Sequence, residues 1–327
     1  MTEPDCDLGE PLDVPAMEWT YVPVDGTQCA FDGTAGFFVN PSATSDELLI
    51  VLEGGGACFN EGDCQSSMLY GFDPIDAMGP IEYDGLFDRS SASNPFSQYS
   101  YVYVPYCTGD FHSGANASSY GARHVGYTNM QAFLTRIVPT FCDASHVMLT
   151  GFSAGGFGAT FNYAQVHDAF GSATPVDLID DSGPYMPPPW MPIEMQADID
   201  DNWGFRANMP PDCTECEGGW HALYPYLSAR YPNDRISLVS ALFDFSIQER
   251  FAPYTPLDTL ESFEPAINAL ADEVLVPLPN VRVYYIYDNG HVYLPGALDD
   301  LVVSGVSLEQ FVRSQIDDDP GWSNVRP

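Results

Sequence analysis

Six short apolar runs recur along the chain, and helical patterns separate several of them. The runs are rich in β-branched and aromatic residues and read LLIVLE (48–53), YVYVPY (101–106), HVMLTG (146–151), VDLIDD (176–181), ISLVSA (236–241) and VRVYYIY (281–287). Such runs are typical of strands that are buried on both faces. Elsewhere apolar residues recur every three to four positions, as in helices, over 130–141, 159–170, 265–275 and 307–315. The alternation predicts an α/β chain with a doubly wound, mainly parallel sheet.

Three segments depart from this alternation within what we expect to be a single domain over 1–327. WTYVPV and GFFVN flank a turn at Asp32 and Gly33, which predicts an antiparallel hairpin at the sheet edge. Residues 184–235 begin with the proline-rich PYMPPPWMP and predict an irregular lid insertion over the sheet. Residues 60–98 predict a long active-site loop, because open α/β sheets bind ligands at loops that follow strand ends.

The charge balance excludes one class of function. The chain has ten basic residues, all arginine, and 46 acidic ones, for a net charge of −36. Such a field repels nucleic acid and anionic membrane surfaces, so we expect no nucleic-acid partner. It also strains the compact state unless salt screens it, which favours a saline habitat. The sequence contains no run of eighteen apolar residues, so no membrane span is predicted. The first ten residues, MTEPDCDLGE, lack the basic and apolar regions of a signal peptide, and we expect that any export signal has been removed.

Eight cysteines, an even number, favour four disulfides in an exported protein, extracellular or periplasmic. CTEC is the only C-x-x-C pair, so a structural zinc is the weaker alternative. The histidines and acidic residues form no tight ligand spacing, and we predict no metal site.

A serine nucleophile is indicated by GFSAG (151–155), which fits the G-x-S-x-G elbow between a strand and a helix. The start of that helix makes the Ala154 N–H a donor to an oxyanion at Ser153. A second donor is expected from Gly54, Gly55 and Gly56 in LEGGGACF, directly after a buried strand. The alternatives are a small-residue turn at 151–155 and a plain or phosphate-binding glycine turn at 54–56, although no phosphate-loop pattern follows.

A serine nucleophile needs a base and an acid, which α/β hydrolases place in the order Ser, Asp or Glu, His. His291 follows the last predicted strand and is the expected base. Asp244 follows the preceding strand and is the expected acid, with Asp180 and Asp181, one strand earlier, as alternatives.

Three other histidines compete with His291. His112 follows YVYVPY on the same rim of the sheet as the elbow, and we expect it to line the substrate pocket. It precedes the serine, however, which breaks the chain order. His146 opens a strand at the opposite end of the sheet and His167 lies within a helix, so both are interpreted as structural.

Several segments, in order, resemble the pectin acetylesterase and Notum family of serine carboxylesterases. They are CAFDGTAGFFV (29–39), VLEGGGACFNEGDC (51–64), VYVPYCTGDFHSGA (102–115), GFSAGGFGA (151–159), DDSGPYM (180–186) and SALFDFSIQ (240–248). The resemblance covers most of the chain from about residue 29 to 291. It implies an α/β-hydrolase fold, an acyl-enzyme mechanism without a cofactor, and export from the cell.

The resemblance also implies roles for individual residues. It makes Ser153 the nucleophile, Asp244 the acid and His291 the base. It places the oxyanion hole at Gly55, Gly56 and Ala154. Its matching cysteines imply the disulfides Cys29–Cys107 and Cys58–Cys64, and leave Cys213–Cys216 and Cys6–Cys142 as guesses.

These observations predict a serine esterase that cleaves short acyl groups, acetyl above all, from an acylated carbohydrate such as pectin or from another ester. Trp190, Trp203 and Trp220 in the insertion are expected to stack on a sugar or aryl ring, unless they simply pack the lid. Gly56 and Ala57 stand where the Notum branch has a bulky aromatic, so its long acyl tunnel is not expected. The alternatives are a polyester or aryl-ester hydrolase with the same residues and a non-catalytic carbohydrate-binding module. The sequence does not determine the oligomeric state.

Overall fold

The computed structural model describes residues 3–66 and 85–327. The strands in these ranges are β1 (Thr20–Pro23), β2 (Gly36–Asn40), β3 (Leu48–Leu52), β4 (Ser100–Val104), β5 (Asn116–Ala117), β6 (Arg123–His124), β7 (Val147–Phe152), β8 (Val176–Asp181), β9 (Ile236–Ala241), β10 (Val281–Ile286), β11 (Val302–Val303) and β12 (Val306–Ser307). The α-helices are α1 (Glu61–Ser66), α2 (Gly126–Thr140), α3 (Ala154–Phe170), α4 (Ile193–Trp203), α5 (Leu223–Arg230), α6 (Phe245–Phe251), α7 (Leu260–Ala269) and α8 (Leu308–Ile316).

The central sheet has eight strands in the order β1-β2-β4-β3-β7-β8-β9-β10. From β4 to β10 every neighbouring pair is parallel, whereas β1, β2 and β4 pair antiparallel at one edge. The predicted doubly wound, mainly parallel sheet and its edge hairpin are both confirmed. All six strands predicted from the apolar runs form, with ends that differ by at most two residues from those runs.

Both faces of the sheet are covered, which explains why an inner strand such as β3 is apolar throughout. In β3, Leu48, Ile50 and Leu52 pack into one core with residues of α2 and α3. Leu49 and Val51 point to the opposite face and pack into a second core with residues of α8. Because successive side chains of a strand alternate in direction, burying both faces requires an unbroken apolar run.

The insertion at 184–235 is more regular than predicted. After the proline-rich stretch it forms α4 and α5, joined by short 3₁₀ turns. Met195, Ile199 and Trp203 recur every four residues in α4, and all three are buried. This spacing of apolar residues indicates a helix in the sequence, although acidic residues lie between them.

All eight cysteines are paired, as Cys6–Cys142, Cys29–Cys107, Cys58–Cys64 and Cys213–Cys216. Both pairings implied by the resemblance and both remaining guesses are therefore confirmed. No helix within the described ranges is long and apolar enough to cross a membrane. Of the long loop predicted over 60–98, positions 67–84 lie outside the described residues.

Candidate active site

Ser153 lies where β7 ends and α3 begins, with φ 59° and ψ −123°. This backbone conformation is rare for a residue that has a side chain, and it concentrates at functional sites. Hydrogen bonds hold it on both sides. The Ser153 N–H donates to the Asp181 carbonyl (2.8 Å), and the Ser153 carbonyl accepts from the Gly156 N–H (2.9 Å). The serine thus occupies the strand–turn–helix setting of a nucleophile elbow.

The two glycines of the G-x-S-x-G pattern are required by close packing. A Cβ at Gly151 would lie 2.1 Å from the Gly155 carbonyl oxygen. A Cβ at Gly155 would lie 1.9 Å from the Leu52 carbonyl oxygen, at the end of β3. The small-residue turn considered as an alternative is therefore present, but it accounts for the glycines and not for the serine between them.

The glycine loop at residues 54–56 follows β3 and passes directly beside Ser153. A Cβ at Gly54 would lie 2.4 Å from the Phe152 carbonyl oxygen and 2.9 Å from the Ser153 Cβ. Gly56 has φ +79°, a value that favours glycine. Because these residues carry no side chain, the backbone of the loop can lie this close to the serine.

Glu53 and His112 fix the start of the glycine loop. The Glu53 carboxylate accepts a hydrogen bond from the Tyr106 N–H (2.8 Å), and the Glu53 carbonyl accepts one from His112 Nε2 (2.9 Å). Burial raises the pKa of Glu53 to about 7 and lowers the pKa of His112, which keeps the imidazole neutral. His112 is 4% exposed and does not line the cavity at Ser153. The prediction that it lines the pocket is therefore wrong, since its ring lies beneath the loop.

His291 and Asp244 are brought together from different elements. Asp244 follows β9 and caps α6, where its Oδ1 accepts from the Ile247 N–H (3.0 Å). Its Oδ2 lies 2.7 Å from His291 Nδ1. Asp244 is completely buried, whereas 15% of the His291 side chain is exposed. A buried carboxylate at Nδ1 fixes the ring orientation and the tautomer, leaving Nε2 directed away from Asp244.

Asp181 anchors the segment that carries His291. Its Oδ2 accepts hydrogen bonds from the N–H groups of Tyr293 (2.7 Å) and Leu294 (2.8 Å). Ser182 Oγ accepts a third from the Val292 N–H (3.2 Å). Burial raises the pKa of Asp181 to about 6, against the lowering effect of these N–H groups. Sequence reasoning considered Asp181 only as a rival acid, although two acidic residues at the end of a buried strand already signalled a special role.

Asp180, the other rival acid, faces away from His291. Its carboxylate accepts from the Gly183 N–H (2.8 Å), Tyr224 OH (3.0 Å) and Thr160 Oγ1 (3.0 Å). Burial raises its pKa to about 7. These contacts tie β8 to α3 and α5, and they do not involve the histidine.

One cavity of about 720 Å³ brings together the predicted nucleophile, base and oxyanion-hole residues. Ser153, Ala154, Gly55, Gly56 and His291 all line it. Further lining residues include aromatic, charged and aliphatic side chains, namely Asp63, Phe111, Phe152, Phe157, Ile247, Glu249, Arg250, Phe251, Tyr254 and Val292. The cavity therefore combines a serine, a histidine and the glycine loop with aromatic, aliphatic and charged side chains.

None of the three tryptophans lines this cavity. Trp203 is fully buried, and its Nε1 donates to the Cys58 carbonyl (2.8 Å) beyond the glycine loop. Trp220 is 2% exposed and packs on Phe205. Trp190 is half-buried against the main core. Stacking of a ring on Trp203 or Trp220 is excluded by their burial. No residue of 184–235 lines the cavity among the described residues, and Trp203 of this insertion contacts the segment after the glycine loop, so a lid over the cavity stays a prediction.

A larger cavity, of about 970 Å³, lies at the opposite end of the strands and includes His146 and His167. His146 Nε2 lies 3.3 Å from an Asp177 oxygen, and His167 Nε2 lies 3.1 Å from an Asp234 oxygen. Both histidines are thus held by buried carboxylates, far along β7 and α3 from Ser153.

Comparison with known proteins identifies related sequences. Residues 16–270 match the family model described as pectinacetylesterase. Palmitoleoyl-protein carboxylesterase NOTUM of Drosophila melanogaster is 24% identical over 254 residues, which cover 69% of this chain and 38% of that protein. The protein of the same name from Schmidtea mediterranea is 29% identical over 147 residues, covering 41% and 27%. The chain thus spans less than two fifths of the length of these curated relatives.

Solved structures show the same fold. The Wnt deacylase Notum from Drosophila superposes with a TM-score of 0.72 at 22% sequence identity, over 94% of both chains. A second crystal form of that protein gives a TM-score of 0.70. The predicted α/β-hydrolase type of fold is confirmed.

Proposed function

The chain belongs to the pectinacetylesterase family, and on this premise we propose that it is a serine-dependent carboxylic ester hydrolase that releases short acyl groups, above all acetyl, from a polysaccharide such as pectin. One observation carries the proposal. A single cavity unites Ser153, the glycine loop and His291, and the His291 ring is held by the buried Asp244.

The first half-reaction is acyl transfer to Ser153. His291 accepts the Ser153 hydroxyl proton at Nε2, because its Nδ1 is engaged with Asp244. The serine oxygen forms a bond to the ester carbonyl carbon, and the carbonyl electron pair moves onto oxygen. Asp244 orients the imidazole and stabilises the imidazolium. Collapse of the intermediate breaks the bond to the alcohol, which leaves with the proton from His291.

The oxyanion of this intermediate is held by backbone N–H groups. Ala154 opens α3, and Gly55 and Gly56 lie on the other side of Ser153. A helix N-terminus presents unpaired N–H groups and a favourable dipole to an anion. Losing one such donor costs about 10²- to 10³-fold in kcat in hydrolases. Water, activated by His291, then attacks the acyl-enzyme and releases the acid.

The lining of the cavity favours a short acyl group and a polar alcohol. Asp63, Glu249 and Arg250 line it, and charged side chains are poor neighbours for a long hydrocarbon chain. The Drosophila relative is named for a palmitoleoyl ester, so acyl length is where the two proteins are proposed to differ. The four disulfides support a location outside the reducing cytosol.

Hydrolysis of p-nitrophenyl acetate, butyrate and octanoate, together with acetate release from acetylated pectin, tests the proposal. We expect kcat/KM to fall with chain length and to drop at least 10⁴-fold in Ser153→Ala. Ser323→Ala is the matched control, because Ser323 is exposed and lies outside the cavity. Equal activity of Ser153→Ala and the control would refute a serine esterase.

A second candidate is an aryl-ester or polyester hydrolase that uses the same residues. Phe152, Phe251 and Tyr254 line the cavity and offer aromatic faces to a ring. Release of acid from an aromatic polyester or a phenolic ester, without acetate release from acetylated pectin, would favour this alternative.

A further inference from the structure

Val292, the residue after the proposed base His291, has a backbone conformation that its side chain disfavours. Its φ is 58°, in the left-handed region. In this region the Cβ of an L-residue crowds the backbone carbonyl oxygen, and a β-branched residue is rarely found there. Such a conformation persists only where surrounding contacts hold it. The contacts around Val292 therefore indicate what fixes the segment that carries His291.

These contacts come from Asp181 and Ser182, at the end of β8. The Asp181 carboxylate accepts hydrogen bonds from the N–H groups of Tyr293 and Leu294, whereas the Val292 N–H donates to Ser182 Oγ (3.2 Å). The Ser182 hydroxyl donates in turn to Asp181 Oδ1 (3.0 Å), which leaves an oxygen lone pair for the Val292 N–H. Ser182 is completely buried. One hydroxyl thus joins the strained residue to the carboxylate that anchors the two residues after it.

A conformational change at Val292 would move His291 and not the residues that follow. The two residues after Val292 are held by Asp181. By comparison, residues 287–289, which precede His291, are exposed. If Val292 returned to an extended conformation, the displacement would therefore fall on His291. Its Nδ1 would then lose the 2.7 Å contact with Asp244 Oδ2.

We infer that Ser182 is a positioning residue whose hydroxyl holds Val292 in the left-handed conformation. By this contact it keeps the His291 ring against Asp244. The inference rests on the proposed function, in which His291 is the base. Ser182 does not line the cavity at Ser153, so it acts through the segment and not on the substrate. The competing explanation is that the hydroxyl only stabilises the end of β8, without influence on His291.

A double-mutant cycle separates these explanations. Glycine adopts a left-handed conformation without strain, so Val292→Gly should make the Ser182 hydroxyl unnecessary. With valine at 292, we expect Ser182→Ala to lower kcat for p-nitrophenyl acetate about tenfold with little change in KM. With glycine at 292, the same substitution should lower kcat less than about twofold. Each comparison keeps the residue at 292 constant, so the change that glycine makes to the cavity wall cancels.

Ser237→Ala is the matched control. Ser237 is also completely buried, and its hydroxyl donates to Gln315 Oε1 (2.7 Å) near the start of β9, outside the cavity. This variant should lower Tm, as Ser182→Ala does, and leave kcat unchanged. Ser182 itself has φ 62°, a value that suits glycine. Ser182→Gly therefore serves as a second variant without the hydroxyl if the alanine variant does not fold, and it should lower kcat to the same extent.

Two kinetic outcomes would overturn the inference. One is an equal fall in kcat from Ser182→Ala with valine and with glycine at 292, which would assign the hydroxyl to general support of the fold. The other is an unchanged kcat in Ser182→Ala with valine at 292.

Proton NMR keeps the test independent of ester hydrolysis. The Nδ1–H proton of His291 in contact with Asp244 should give a downfield resonance, which His291→Gln identifies by its loss. We expect this resonance to weaken or shift in Ser182→Ala and to return when Val292→Gly is added. An unchanged resonance in Ser182→Ala would overturn the inference. If Ser153→Ala retained full activity, the proposed function would fail, while the resonance would still decide the role of Ser182.

Discussion

Gly155→Ala tests whether the elbow depends on the contact between β3 and the start of α3. An added Cβ would lie 1.9 Å from the Leu52 carbonyl oxygen, and real contacts of this kind are not shorter than 3.0 Å. The two backbones must therefore separate by about 1 Å where they pack most tightly. Overpacking of this size, against backbone that cannot rotate away, should cost about 3 kcal/mol or more.

The assay is thermal unfolding followed by circular dichroism, with the disulfides intact. For a chain of this size about 3 kcal/mol corresponds to a fall in Tm of roughly 4 °C. Gly218→Ala is the matched control, because its Cβ would meet no atom within 4 Å. The same chemical change there should alter Tm by less than about 1 °C or raise it slightly. If Gly155→Ala and Gly218→Ala had equal Tm values, the close-packing explanation of the elbow would be wrong.

Four further measurements test other parts of the structure. Asp181→Asn removes an anionic acceptor from two N–H groups of the segment that carries His291, so kcat for ester hydrolysis should fall about tenfold or more with little change in KM. Burial raises the pKa of Asp181 to about 6, above its usual value, so the contribution of this group to stability is complete below about pH 4 and is lost as the pH rises through 6. The free energy of unfolding, measured with denaturant between pH 4 and 7, should therefore decline, and the decline should be smaller in Asp181→Asn. Replacing both cysteines of Cys29–Cys107, which are 78 residues apart, with alanine should cost about 4 kcal/mol, and the same change at Cys213–Cys216, three apart, less than about 2 kcal/mol; equal losses in urea denaturation would contradict the chain-entropy argument. Raising NaCl from 0.1 to 1 M should increase Tm, since salt screens the repulsion of a net charge of −36, and a Tm that falls with salt would contradict this.

The candidate site was predictable where its signals are local. The elbow could be located from GFSAG because a sharp turn between a strand and a helix restricts the residue types within a few positions. Asp244 and His291 were predictable from chain order, since both follow late strands of a parallel sheet. Their 2.7 Å contact agrees with that choice, although their chemical roles stay predictions.

Other roles were not predictable, because they depend on what surrounds a side chain. Trp203 and Trp220 looked suited to a sugar-binding surface, yet both are buried in the core. His112 follows a strand on the correct rim, but its ring turns under the glycine loop and holds the Glu53 carbonyl. Sequence position fixes the rim on which a residue lies, and it does not fix the direction in which the side chain points.

The sequence by itself determined the strands of the parallel sheet, several of the helices between them, the double-sided burial of the sheet and the place of the elbow, because apolar periodicity and glycine restrictions act over a few neighbouring residues. Only the tertiary structure showed that Asp181 anchors the segment that carries His291 and that Arg250 reaches the cavity beside Gly56. Asp181 ends β8 and Asp244 follows β9, the parallel neighbour of β8, so both carboxylates reach the segment that carries His291. These are long-range contacts, set by packing between distant segments, and no local pattern encodes them.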